Sequence, residues 1–151
     1  MHNDEDILFM RMALEEAVYA FDKGEVPVGA LVVRNGEIIG HAHNLRETTK
    51  DPSAHAEILA LRAATGVSDS WRLLDATLYV TKEPCIMCSG AIINSRIPRL
   101  VYGCKDSKAG GVDSVYHILT DDRLNHQVTV VSGVLEDESA ALLQRFFKER
   151  R

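Results

Sequence analysis

Thr77-Leu78-Tyr79-Val80, then Pro84-Cys85-Ile86-Met87-Cys88 running on to Asn94, then Leu100-Val101-Tyr102: over residues 77–102 the chain spells strand, helix and strand. The first and last runs are rich in the β-branched and aromatic residues that fit a pleated surface. Pro84 lacks an N–H and suits a helix's first turn, where that donor has no partner. Alternation of this kind belongs to α/β chains, in which helices cover a sheet.

Working outward keeps the pattern. Upstream, Ile7, Met10, Leu14, Ala17, Val18 and Phe21 recur at three- and four-residue steps behind an acidic first turn, which predicts a helix over 4–23 ended by Gly24. Val26–Val33 and Ile38-Ile39 flank Asn35-Gly36, the strongest short-range hairpin signal. Residues 44–54 have no period and read as a loop, followed by a helix over His55–Ala64 closed by Gly66. Downstream, 103–127 is long and irregular, with Gly110-Gly111 and a short helix expected at 112–119. Loops of this length in compact domains are usually functional or mobile. A strand over Val128–Val131 and an amphipathic helix over Glu138–Lys148 complete the reading. The prediction is α/β, a mixed five-stranded sheet with helices on both faces, in a single domain over 1–151.

The chain has 151 residues, 46% of them hydrophobic, and 17 Lys+Arg against 22 Asp+Glu. A domain of this length removes roughly 70% of its unfolded surface from water, so its core needs no metal or disulfide to exist. The three cysteines cannot all pair, and a reducing compartment is expected. The opening Met1-His2-Asn3-Asp4-Glu5-Asp6 is acidic where an export signal is basic, and no apolar run approaches the ~20 residues that cross a bilayer. A cytoplasmic protein with no membrane partner is therefore expected. A net charge of −5 excludes a purely electrostatic nucleic-acid binder, but residues 94–151 carry nine basic against eight acidic side chains. Arg145, Lys148, Arg150 and Arg151 crowd the last eight residues. A polyanion would dock on that end, unless those cations only favour the helix dipole.

His55-x-Glu57 alone is weak evidence. Paired with Pro84-Cys85-x-x-Cys88, each motif at a predicted helix start, it describes a zinc site. Helix N-termini stabilise thiolates, the forms that bind metal. His55, Cys85 and Cys88 leave a fourth position open, as catalytic zinc does, and Glu57 is placed to take a proton from water. Two plainer readings stand beside this one. A structural zinc needs a fourth ligand from Cys104, His41, His43, His117 or His126. A redox C-x-x-C fits a reducing compartment but leaves His55 and Glu57 unexplained.

This pair of motifs is the known signature of zinc-dependent nucleobase deaminases. Glu25-Val26-Pro27-Val28-Gly29-Ala30, Ala54-His55-Ala56-Glu57-Ile58, Leu78-Tyr79-Val80-Thr81, Glu83-Pro84-Cys85-Ile86-Met87-Cys88, Ser95-Arg96-Ile97 and Leu124-Asn125-His126 resemble the bacterial tRNA-specific adenosine deaminases of the cytidine and deoxycytidylate deaminase superfamily. The closing Ala140-Ala141-Leu142-Leu143 and Phe146-Phe147 resemble that family's final helix. The resemblance implies a three-layer α/β/α cytidine-deaminase-like fold, a homodimer and one Zn²⁺ per subunit. It implies hydrolytic deamination of the wobble adenosine to inosine in the tRNA anticodon loop, of the arginine tRNA class. By motif, His55, Cys85 and Cys88 would hold zinc and Glu57 would shuttle protons. Asn44 would contact the target nucleoside, Val28 would wall the base pocket, and Asp106 would meet the neighbouring nucleotide. Two positions depart from the pattern: Lys82 stands where the resemblance expects an apolar residue, and Cys104 where it expects a small one. The alternative is a deaminase of a free nucleobase or nucleotide such as guanine, cytosine or dCMP; a non-catalytic deaminase-like subunit would not need Glu57.

Several residues carry plain readings as well. His41 and His43 alternate on one strand face as a surface pair. His126 is read as local loop hydrogen bonding, and Cys104 as an inert small apolar residue. Asn44 and Asp106 are residue types that bond their own backbone in loops. Phe146 and Phe147 cannot both face inward on one helix, which leaves one for base stacking, a dimer contact or partial burial.

Overall fold

A computed structural model describes residues 1–150; Arg151 of the basic end lies outside the described residues. Helix α1 spans Asp4–Asp22 and is capped by Asn3, whose side chain accepts the Asp6 N–H at 2.7 Å. Strands β1 (Gly29–Arg34) and β2 (Glu37–His43) form the expected hairpin. Asn35 and Gly36 have φ of 52° and 77°, the two positive values that a type I′ turn demands. Strand β3 (Ala76–Lys82) pairs antiparallel with β1 and parallel with β4 (Arg99–Cys104), which pairs parallel with β5 (Thr129–Val131). The order β2-β1-β3-β4-β5 makes the predicted mixed five-stranded sheet.

Strand alternation divides the core between two faces. Ala30, Val32, Leu78, Val80, Leu100 and Tyr102 pack against Ala56, Ala60, Leu61, Ile92 and Ile93 of helices α3 (Ala56–Ser68) and α4 (Ile86–Ser95). Leu31, Val33, Tyr79 and Val101 pack against Phe9, Met10 and Ala13 of α1. The closing helix, here Glu136–Glu149, lies on this second face through Phe146, which meets Phe21 of α1 edge to face at 5.8 Å. The result is three layers, α/β/α. Gly29 is where α1 meets the sheet most closely: a Cβ there would stand 2.0 Å from the Ala13 carbonyl oxygen.

The α1 side is also tied by a buried polar cluster. Asp6 accepts the Tyr79 hydroxyl at 2.7 Å and both Nη groups of Arg99, at 2.8 and 2.5 Å. Burial raises the Asp6 pKa, but these donors outweigh it and hold the carboxyl below its ordinary 3.8.

Three local expectations fail. The helix after His55 does not stop at Gly66; it runs to Ser68, and Asp69 supplies the left-handed cap at φ 58°. A helical glycine costs only about 1 kcal/mol, less than a packed helix recovers by continuing. The 44–54 loop contains a single helical turn, α2 (Arg46–Thr49), because Glu25 accepts the Glu47 and Thr48 N–H groups from outside it. No helix forms over 112–119, only a 3₁₀ turn at Ile118–Thr120. The N–H groups of Val115, Tyr116 and Ile118, which a helix would pair four residues back, donate instead to the carbonyls of Gly110 and Gly111.

Candidate active site

Strands β2 and β3 are both antiparallel to β1, so they leave the sheet at the same edge. The chain beyond each enters a helix there, and the residue before the first helical turn is His55 for α3 and Cys85 for α4. Cys88 lies one turn further along α4. This topology brings residues 30 apart in sequence together: His55 Nδ1 is 3.7 Å from Cys85 Sγ and 3.5 Å from Cys88 Sγ.

Zinc–nitrogen and zinc–sulfur bonds of about 2.05 and 2.3 Å at the tetrahedral angle separate the two donors by about 3.6 Å. The observed separations match, and one nitrogen with two sulfurs is a donor set that zinc prefers. Among the described residues these three form the one group of His, Cys, Asp or Glu donors close enough to share an ion. Cys104, His41, His43, His117 and His126 therefore supply no fourth ligand, and the structural-zinc reading falls away. The residues fit a three-ligand metal site with an open position.

Electrostatics within the group are strongly coupled. The Cys85 thiol is pulled down to about 3, chiefly by the hydrogen bond from the Cys88 thiol, against the cost of burial and with help from His55. Cys88 is pushed up by the neighbouring Cys85 and by burial. His55 is raised, first by its hydrogen bond to Cys85. Glu57, 4% exposed, is raised by burial. A carboxyl in that state can hold a proton and give it up, as a proton shuttle must.

A cleft of about 300 Å³ opens over the group. Val28, Asn44, His55, Glu57, Cys85 and Asp106 all line it, and Cys88 lies buried behind. The structure thus brings together every site residue that the sequence singled out. The plain readings of Asn44 and Asp106 hold at the same time. Asn44 donates to the Val26 carbonyl at 3.3 Å and accepts the Arg46 N–H at 3.2 Å. Asp106 Oδ1 accepts the N–H groups of Lys108 and Ala109 at 3.0 and 3.1 Å, so its own loop fixes its orientation. Phe146 is buried, whereas Phe147 is exposed and lines the cleft.

Sequence reasoning missed Arg46, Ala109 and Glu83 and noted Lys82 only as a departure; all four line the cleft. Glu83 anchors its far wall. Its carboxylate accepts N–H groups from Asp106 at 3.0 Å, Val112 at 3.1 Å, Asp113 at 2.8 Å and Ser114 at 3.0 Å, together with the Ser114 hydroxyl. A Cβ at Gly110 would stand 2.3 Å from that carboxylate, which is the reason for a glycine there. No pattern visible from one sequence announces such an anchor; the Gly110-Gly111 pair was the available signal.

The remaining candidates lie elsewhere. His41 and His43 both point Nδ1 at Glu16 of α1, at 3.2 and 3.1 Å, and tie the edge strand β2 to that helix. His126 is not locally bonded as expected: its Nε2 donates to the Ile97 carbonyl at 2.8 Å, across 29 residues. Cys104 is buried, and burial raises its pKa. Arg145 lies over the Phe21 ring and Arg150 over Phe146, each at 4.7 Å, on the seam between α1 and the closing helix.

A three-layer sheet with His-x-Glu and Cys-x-x-Cys at one edge is the architecture of deaminases. A family model for MafB19-like deaminases matches residues 3–151, and the chain belongs to that family. Within it, the chain stands among the tRNA-specific adenosine deaminases: that of Bacillus subtilis (strain 168) is 50% identical over 147 residues, covering 97% of this chain and 91% of the relative. A solved structure from a study of A-to-I editing by tRNA:A34 deaminases at the wobble position of transfer RNA superimposes with a TM-score of 0.86. It is 42% identical and covers 89% of this chain and 98% of its own. A guanine deaminase from Nitrosomonas europaea shares the fold with a TM-score of 0.82, at 25% identity over 97% of this chain and 85% of its own.

Proposed function

We propose that this protein deaminates adenosine to inosine by hydrolysis at the wobble position of a tRNA anticodon loop, in the arginine tRNA class. The observation that carries the reading is the clustered His55, Cys85 and Cys88 donor set beside the buried Glu57 in a cleft of about 300 Å³. Similarity to relatives that bear the name tRNA-specific adenosine deaminase supports the choice of substrate.

Zinc held by these three side chains lowers the pKa of a water and supplies Lewis acidity when bound. The protein's own groups do the rest. Glu57 takes the water's proton as the oxygen adds to adenine C6 and hands it to N1. It then delivers the second proton to the departing amine, so that adenosine and water give inosine and ammonia. Val28 walls the base, Asn44 bonds the nucleoside from a side chain already oriented by Val26 and Arg46, and Asp106 and Phe147 meet the neighbouring nucleotide, Phe147 by stacking. A cleft of this size takes a base splayed from its stack, which favours a loop over a duplex. Exposed Ile86 and Met87, beside the ligands on α4, support a homodimer in which a second copy covers them. No described helix is long and apolar enough to cross a membrane, and we place the protein in the cytoplasm.

The second reading, a deaminase of a free base, is favoured by the shared fold of the guanine deaminase. Nucleoside analysis after incubating zinc-loaded protein with an adenosine-wobble arginine anticodon stem-loop, and separately with adenosine, guanine, cytosine and cytidine, separates the two. Inosine in the RNA alone is the expected outcome. Product from a free base with the RNA untouched overturns the substrate and keeps the chemistry. Loss of turnover in Glu57→Ala at unchanged zinc content is expected; near-normal turnover would overturn the mechanism.

A further inference from the structure

We propose that Lys82 is a substrate-recognition residue: its ammonium binds a phosphate oxygen of the RNA backbone beside the target base, with Asp106 holding it in position at the cleft mouth. This rests on the RNA-deaminase reading above and adds a contact that no motif residue supplies.

Leu78 and Val80 of β3 face the α3 and α4 layer, and alternation puts Lys82 on the same side, at the strand's last position. The strand leaves the sheet there at the cleft, so the long side chain passes into its mouth and lines it. The side chain is 28% exposed, which places its stem against protein and its charge at the rim. Asp106 Oδ2, 3.2 Å from Nζ, is the one carboxylate in ion-pair range among the described residues. Because Oδ1 of Asp106 is bonded to its own loop, the carboxylate is a fixed post. An ammonium has three donors, and one post leaves two for a ligand.

The chemistry of the cleft selects that ligand. Its inner wall offers Val26, Val28 and Asn44, which suit a neutral base, while the acid that meets the base is Glu57 at the floor. Glu83 is engaged by its loop and neutralises no cation at the mouth. A nucleotide whose base enters the cleft leaves its phosphates at the rim, where two cations line it, the exposed Arg46 and the partly desolvated Lys82. Lysine's compact charge suits a phosphate oxygen better than a planar base edge, which amide or guanidinium groups read.

The test uses the zinc-loaded protein, Lys82→Met and Lys82→Arg, with anticodon stem-loops carrying a neutral methylphosphonate immediately 5′ or immediately 3′ of the target adenosine. For Lys82→Met, KM is expected to rise about tenfold with kcat held, and the slope of log(kcat/KM) against log[salt] to flatten by about 0.7, one single-strand phosphate contact. Lys82→Arg restores most of the KM. One of the two methylphosphonates costs the wild type about tenfold and costs Lys82→Met nothing further. An unchanged KM and salt slope in Lys82→Met overturns the assignment, as does a kcat loss equal to the KM change, which marks a structural role. Methylphosphonates that cost both proteins equally overturn the phosphate and point to a base-edge contact. A wild type inactive on the unmodified stem-loop overturns the RNA reading itself, and this inference with it.

Discussion

Replacing Glu83 by Gln isolates the anchor of the cleft's far wall, because it removes a charge and one acceptor while keeping the shape. Three N–H groups converge on Oε2, whereas Oε1 takes the Asp106 N–H and the Ser114 hydroxyl. The amide therefore turns its oxygen to the three and its NH₂ to the two. Ser114 can rotate and accept, but the Asp106 N–H cannot, and an unpaired buried donor costs about 1–3 kcal/mol. The three remaining bonds lose their charge assistance, roughly 0.5 kcal/mol each. The total is about 3 kcal/mol, or a Tm lower by roughly 6–12 °C for a domain of this length. Urea unfolding of the metal-loaded protein measures the change directly, with an unaltered m-value expected. Hydrogen exchange should show residues 105–116 losing protection before the sheet does. KM for RNA should rise at constant zinc content, since Asp106 and Ala109 hang from this anchor. A stability within about 0.5 kcal/mol of wild type, with exchange over 105–116 unchanged, would refute the reasoning; water would then be satisfying those donors.

Further predictions concern the metal, the packing and pH. Cys88→Ser should lower zinc stoichiometry and, by linkage of metal binding to folding, the unfolding midpoint; metal analysis at full occupancy would remove Cys88 from the ligand set. Gly29→Ala should destabilise by about 1–3 kcal/mol, since its Cβ would overlap the Ala13 carbonyl and force α1 off the sheet. An unchanged urea midpoint would contradict that close approach. Asp6→Asn should lose stability at neutral pH. The folded Asp6 carboxyl titrates below its ordinary 3.8, so its contribution is fully present above that value and lost as pH falls through the folded one. The gap between wild type and variant should therefore narrow as the medium is acidified below about pH 4, and a gap that persists unchanged at low pH would assign the loss to packing.

The sequence by itself determined the layered sheet and the chemistry. The 3.6-residue period of α1 and the short β-branched and aromatic runs of β1, β3 and β4 are local, and Asn35-Gly36 specifies its turn through backbone torsions that few other pairs adopt. His55, Glu57, Cys85 and Cys88 were legible because metal ligation restricts residue type and spacing together. Tertiary structure alone decided what surrounds them. Whether 112–119 became a helix depended on Glu83 and Pro84, far back in the chain, holding Gly110 and Gly111 where their carbonyls capture the Val115, Tyr116 and Ile118 N–H groups that a helical ladder would have used. Whether His41 and His43 were a bare surface pair depended on Glu16 lying across the sheet edge. Of two adjacent phenylalanines, Phe146 went inward because Phe21 of α1 offered it an edge-to-face partner, which left Phe147 to the cleft. Lys82 became part of the site because β3 leaves the sheet at its mouth and Asp106 stands opposite. Each of these outcomes hangs on a partner far away in the chain, and a hydrogen bond or ion pair between distant residues leaves no period in the sequence for a local reading to detect.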